Sequence, residues 1–224
     1  FIPVEFSVAA YRFGHSMIPQ RIQIRPGDPA MEVFGPTLGD GFTPLTNLDA
    51  AVHWPQLLDL SDPTVDRADK LDAKLARDLL DLPFVKTGVR SLATRNLLRG
   101  QAFRLPSGES VAAACGRAQV EIDKVTSGAQ ALAASAGAGL PAGTPLWLYA
   151  LVEGAEIGRE TSPGNFDLGE GLGPVAGRIV AETLIGLIEL DPQAYLGSRR
   201  DWSPDDDKDK LGGGVNSLLD LLTY

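Results

Sequence analysis

Two histidines, His15 and His53, are the only imidazoles in the 224 residues, so any metal-ligating or proton-transfer role for that group falls on them. His15 stands in Tyr11-Arg12-Phe13-Gly14-His15-Ser16-Met17, one residue after a glycine inside a helical pattern. A glycine there costs about 1 kcal/mol relative to alanine. It tends to persist where something must approach the backbone closely, and a flat macrocycle would qualify. The residues alone also allow a plainer alternative, a core histidine bonded to a neighbouring carbonyl. His53, in Ala51-Val52-His53-Trp54-Pro55, reads as an ordinary polar loop residue. The single cysteine, Cys115, excludes an internal disulfide and any multi-cysteine metal site. In VAAACGRA it reads as a small buried thiol. The carboxylates of Asp59–Asp62 and Asp205–Asp207 lack EF-hand spacing. Gly212–Gly214 has no phosphate-loop lysine and serine after it.

The elements that would position these residues are mostly helical. Val4–Met17 places Phe6, Ala9, Ala10, Phe13 and Met17 at three- and four-residue intervals, the pattern of one amphipathic helix. Ile18-Pro19 ends it. Arg21–Arg25 alternates and is read as a short strand or extended arm. Residues 27–55 form a long ordered loop. A helix is expected over Asp66–Leu80, with Ala68, Leu71, Leu75 and Leu79 as its stripe and Pro83 beyond its end. Ser91 caps a helix running to Gln101, and Pro106-Ser107-Gly108 opens another over Glu109–Ala118. Ser127–Gly143, rich in alanine and glycine, is a flexible or helical connector. Pro145–Ile157 and Pro174–Leu190 are apolar helices, separated by the loop GRETSPGNFDLGEGLG. The sum is a mainly α chain of five or six helices with long loops.

Composition narrows the function classes. Apolar residues make up 44% and charged residues 22%, ordinary for a globular protein. A net charge of −9 argues against nucleic acid as a partner, because phosphate affinity needs clustered Lys and Arg. The run Ser203–Lys210 (SPDDDKDK) is a solvated loop. No apolar run reaches the ~18 residues needed to span a bilayer. Gly177–Leu190 comes nearest, but it carries Arg178, Glu182 and Glu189 and reads as a core helix. The first residues, FIPVEFSVAAYRFGH, enter a helical pattern at once, as at a processing or cloning boundary.

FSVAAYRFGHSMIP resembles the proximal-histidine helix of the animal haem peroxidases, the superfamily that includes the cyclooxygenases and fatty-acid dioxygenases. Arg12, Phe13, Gly14, His15 and Ser16 match its Arg-aromatic-Gly-His-Ser/Thr pattern. Leu92-Ala93-Thr94-Arg95-Asn96-Leu97-Leu98-Arg99-Gly100 is similar to a later family helix. Pro145–Tyr149 and Leu172–Glu182 resemble the segment in which a Leu-Gly-Pro turn starts a long packing helix. Leu105-Pro106-Ser107-Gly108 departs from the family's Asp-His-Gly-x-Pro stretch, and that histidine is absent. The likeness covers most of residues 1–190 and is most specific at 11–17 and 92–100.

The resemblance implies a mainly α, haem-peroxidase-like helical domain. Residues 1–224 would be the C-terminal, proximal half of one catalytic domain. It implies haem b with His15 as the iron ligand, and Asn96 accepting a hydrogen bond from the other ring nitrogen. An iron-bound imidazole needs that nitrogen fixed by a partner. Arg99, on the same helix face as Asn96, and Arg12 would meet the propionates or haem edge. Hydrogen peroxide would oxidise a small organic or halide donor. The family's distal histidine, catalytic arginine and calcium loop precede the proximal helix. A second polypeptide or a longer precursor would therefore supply them, and any calcium site would lie in that half. The family pattern places His53 away from the haem. Arg12 stands where cyclooxygenase-like members carry a radical tyrosine, with Tyr11 on a different face, which favours a peroxidase. A fatty-acid dioxygenase of the same fold, or a non-catalytic helical remnant without haem, are the alternatives. The compartment is left open between secretion and cytosol.

Overall fold

The computed structural model describes residues 2–58 and 65–198. Asp59–Asp62, Ser203–Lys210 and Gly212–Gly214 lie outside these residues. The helices are α1 (Val4–Val8), α2 (Pro55–Leu58), α3 (Arg77–Leu80), α4 (Leu92–Ala102), α5 (Gly108–Ala114), α6 (Gln119–Ser135), α7 (Leu146–Glu156), α8 (Pro174–Leu190) and α9 (Tyr195–Ser198). Ala10–Met17 and Leu48–Ala50 are 3-10 helices. Strands β1 (Arg21–Ile22) and β2 (Met31–Glu32) form one antiparallel pair, with Ile22 opposite Met31. Strands β3 (Arg159–Ser162) and β4 (Asn165–Asp167) form another. The chain is thus mainly helical. It divides into two compact units, Phe1–Ile18 with Asp69–Leu184 and Pro19–Ala68 with Ile185–Tyr224.

The first unit is organised around α7. Eight of its eleven residues are buried, which is the pattern of a helix packed on all sides. One face joins Ala112, Ile122, Val125, Ala129 and Val175 through Tyr149 and Val152. The other face, Leu146, Trp147 and Leu151, packs with Ala9 and Leu71.

The opening segment is not one helix. The α-helix stops at Val8, Ala9 leaves the helical region (φ −126, ψ −74), and a 3-10 helix follows. Ala9 is fully buried in the α7 cluster, and the Trp147 indole N–H donates to the Arg12 carbonyl at 3.3 Å. Tertiary packing and that bond replace the regular α-helical ladder. In a 3-10 helix residues i and i+3 eclipse, so Arg12 and His15 come into line.

The helix expected over Asp66–Leu80 shrinks to α3. Backbone donors that would have built it go elsewhere: Asp69 N–H to Met17 and Leu71 N–H to Gly169, at 2.9 and 2.8 Å. Lys74 N–H bonds the Asp72 carboxylate at 2.7 Å, a local turn that competes with helix. Leu71 and Leu79 are nonetheless buried. Ser91 caps α4 as expected, accepting from Thr94 N–H, and Ser107 caps α5, accepting from Ser110 N–H. Helix α5 stops at Ala114 rather than Ala118, because Gly116 adopts a left-handed φ of 74°. Of the two alternatives for Ser127–Gly143, the helical one holds as far as Ser135, the end of α6. The loop after α7 contains the β3–β4 hairpin. Cys115 is half-buried, not buried. Helix α8 buries Val175, Ala176 and Thr183 but exposes Leu184, Ile185, Leu187 and Leu190, so only its first part is core. Among the described residues no helix is long and apolar enough to cross a membrane.

Candidate functional site

Asn96 is the centre of the site. Its position on α4 follows from the Ser91 cap, which starts the helix so that residue 96 faces inward and is fully buried. The Arg12 Nη1 donates to Asn96 Oδ1 at 3.2 Å, across 84 residues of chain. The Asn96 Nδ2 in turn lies 3.0 Å from His15 Nδ1. A guanidinium has donors only, so the amide oxygen must face Arg12 and the amide nitrogen must face His15. His15 Nδ1 therefore accepts, and a neutral ring carries its proton on Nε2. Burial lowers the His15 pKa and the nearby Arg12 charge lowers it further, both favouring the neutral imidazole. Arg12 is itself lowered, by burial and then by the like charge of Arg99. A third bond runs from Arg12 Nε to the Ser7 carbonyl at 3.1 Å.

Arg12, Arg95, Asn96 and Arg99, with Leu92 and Leu98, line a cavity of about 500 Å³ whose wall, among the described residues, holds no carboxylate. Arg95 donates to the Val89 carbonyl at 2.7 Å, and Arg99 lies 5.5 Å from the centre of the Phe103 ring. Among the described residues none of the three arginines forms an ion pair. A cationic cavity of this kind suits a carboxylate or another planar anion. A second cavity of about 510 Å³ shares Asn96 and is mostly apolar, walled by Leu97, Leu105, Pro145, Leu146 and Trp147. His15 lines neither cavity. Beside it, a Cβ added at Gly14 would meet no atom of the described residues within 4 Å.

No protein family, curated protein or solved structure matches this chain.

His15, Asn96 and Arg12, drawn from two segments of sequence, are brought into one hydrogen-bonded line, and Arg99 shares the cavity beside it. The polarity of the Asn96–His15 bond is opposite to the expected one: Asn96 donates where the resemblance has it accept. Arg12 is the cause, since it occupies the amide oxygen. His53 belongs to the other unit and is exposed. Tyr11 is also exposed and stacks on Phe6, with ring centres 4.7 Å apart. Among the described residues no group of three His, Cys, Asp or Glu could hold a metal ion. Sequence reasoning passed over Arg95, whose only signal was its place one turn before Arg99. It also passed over Glu109, which accepts from Thr144 Oγ1 at 2.6 Å. Burial opposes that carboxylate's charge, but the hydrogen bonds from Thr144 outweigh it and hold its pKa below the ordinary value.

Replacing Asn96 with leucine is expected to destabilise the protein by about 1–2 kcal/mol, because it leaves the half-buried Arg12 and His15 without their shared partner. Urea unfolding measures this. A change below about 0.5 kcal/mol would show that the bridge contributes nothing.

Proposed function

We propose that the protein binds haem b through His15 and forms the proximal side of a peroxidase that uses hydrogen peroxide to oxidise a small organic or halide donor. The observation that carries this reading is the bridge His15–Asn96–Arg12 beside an arginine-lined cavity. It supplies a neutral imidazole held at one nitrogen and cations placed for carboxylates. These residues fit the group in kind, with one rearrangement required: for Nε2 to ligate iron, the ring proton must sit on Nδ1.

When bound, haem supplies the redox chemistry toward peroxide. The residues of this chain bind and orient. Asn96 sets the plane of the imidazole and, by being a neutral amide, withholds the electron density that a carboxylate partner would add. Arg12 and Arg99 balance the carboxylates of the macrocycle, and the bare backbone at Gly14 leaves room for a flat ring. The base that takes a proton from peroxide is assigned to a second polypeptide carrying the distal half.

The visible spectrum tests the proposal. The protein as purified, or after addition of haemin, is expected to show a strong Soret band that His15→Ala abolishes. No Soret band with added haemin overturns the reading. The competing reading, a helical protein without haem, is favoured by one observation: Asn96 donates to Nδ1, as for an ordinary neutral core histidine. In that case His15→Ala removes no spectroscopic signal.

A further inference from the structure

Three features meet at Asn96. Its amide oxygen is held by Arg12, its amide nitrogen by His15, and its side chain lines the cavity that Arg12 shares with Arg95 and Arg99. The guanidinium of Arg12 is the piece best placed to move. It lies near the like charge of Arg99, has no carboxylate partner among the described residues, and donates to a neutral carbonyl and a neutral amide. A carboxylate entering the cavity would offer it a charge-assisted, two-pronged partner, stronger than either.

We infer that a carboxylate bound in the Arg12–Arg95–Arg99 cavity decides which nitrogen of His15 carries the proton. The carboxylate draws Arg12 off Asn96 Oδ1. The Asn96 amide then turns by half a rotation about its last torsion, a nearly shape-preserving move for a fully buried side chain. Its oxygen comes to face His15, and its NH₂ comes to face the cavity, where the carboxylate accepts from it. His15 loses a donor at Nδ1 and gains an acceptor there. The ring proton leaves Nε2 to solvent and another is taken up at Nδ1, so the imidazole stays neutral throughout and no charge is created. Nε2, until then protonated, is freed as a lone pair.

The consequence is an ordered site. Without a carboxylate in the cavity, His15 is locked in the tautomer that cannot ligate a metal through Nε2; with one, it is released. The use of this coupling in assembling a haem site rests on the haem reading above. The coupling itself concerns only residues of this chain. Free dicarboxylates and the propionates of a porphyrin share the required chemistry.

The experiment is ¹⁵N NMR of the histidine ring in the His53→Gln protein, which leaves one imidazole. His53 is exposed, so this change spares the core. In the absence of carboxylates the Nε2 resonance is expected in the protonated range and Nδ1 in the unprotonated range. Glutarate, or iron-free protoporphyrin IX, is expected to exchange the two. A response to protoporphyrin IX alone would identify the porphyrin as the source and still support the coupling. Protoporphyrin IX dimethyl ester, which has no carboxylates, is expected to leave the spectrum unchanged. Asn96→Asp, an acceptor only, supplies the reference spectrum for the Nδ1–H form. Arg99→Met is expected to raise the concentration of glutarate needed by about tenfold. The inference is overturned if His15 is already in the Nδ1–H form without ligand, if neither carboxylate compound moves it, or if the ester moves it equally. A tautomer exchange without any Soret band after haemin would retain the coupling and discard the haem reading. A Soret band with no exchange under glutarate or protoporphyrin would do the reverse.

Discussion

Gly108→Ala is expected to destabilise the protein by about 3 kcal/mol, although it replaces a glycine with alanine inside a helix. Helix propensity alone argues for stabilisation of up to about 1 kcal/mol. Packing argues the other way. Gly108 is the first residue of α5, and the Tyr149 side chain lies directly over its Cα. A Cβ added there would fall onto Tyr149 Cβ, Cγ and Cδ2. Tyr149 has no room to retreat: it is about 1% exposed and packs among Ala112, Ile122, Val125 and Val175. Overpacking of that kind typically costs 1–3 kcal/mol, and more where the neighbour is itself confined. Urea unfolding of Gly108→Ala, Tyr149→Ala and the double variant checks the cause. The alanine is expected to cost little once the ring is gone, so the two changes should be strongly non-additive. If Gly108→Ala proves as stable as the parent, the close packing of α5 on α7 is wrong.

The second large effect concerns Glu153, which is about 1% exposed on α7. Its Oε1 accepts from Val175 N–H at 3.0 Å, and its Oε2 from Ala176 N–H at 3.1 Å. It thus satisfies two donors in the first turn of α8, where a negative charge is favoured. Gly173 makes this approach possible, since any side chain there would run into the Glu153 stem. Among the described residues Glu153 forms no ion pair; Arg117 is engaged by Glu121 at 2.8 Å. Burial therefore wins over the two backbone bonds and raises the pKa from 4.5 to about 7. A raised carboxyl pKa means that the folded state holds a proton the unfolded state has released. Stability from this group is present below pH 4.5 and is lost as pH rises through 7. The size is about 3 kcal/mol across that window. Comparing parent with Glu153→Gln at pH 5.5 and 8.5 isolates it, because every other titrating group, His15 included, is common to both. The stability difference, parent minus variant, is expected to fall by about 2 kcal/mol toward alkaline pH, because pH 5.5 already lies a unit above 4.5. Equal pH slopes would sink the assignment.

These two residues show where local patterns lose their reach. Nothing in the sequence around Gly108 announces Tyr149, and Glu153 reads as one more polar residue in an apolar helix. Both roles are created by α7 packing on every side, and that is a property of the whole unit.

The sequence by itself determined what depends on neighbours a few residues away. The caps at Ser91 and Ser107 place α4 and α5, and their hydroxyls accept from N–H groups three residues on. The apolar runs of α7 and α8 exceed what a turn could tolerate. On α4, three-residue spacing puts Asn96 and Arg99 on neighbouring positions of one face. Tertiary structure decided the rest, because a backbone or side-chain group bonds whichever partner is strongest in three dimensions. Trp147 reaches Arg12 across 135 residues and helps convert the expected α-helix into a 3-10 turn that aligns Arg12 with His15. Gly169 and Met17 take the donors that would have extended α3. Above all, Arg12 claims the Asn96 oxygen across 84 residues. The sequence therefore contained the pair His15 and Asn96, while the direction of the hydrogen bond between them, and with it the nitrogen left free, belongs to the fold.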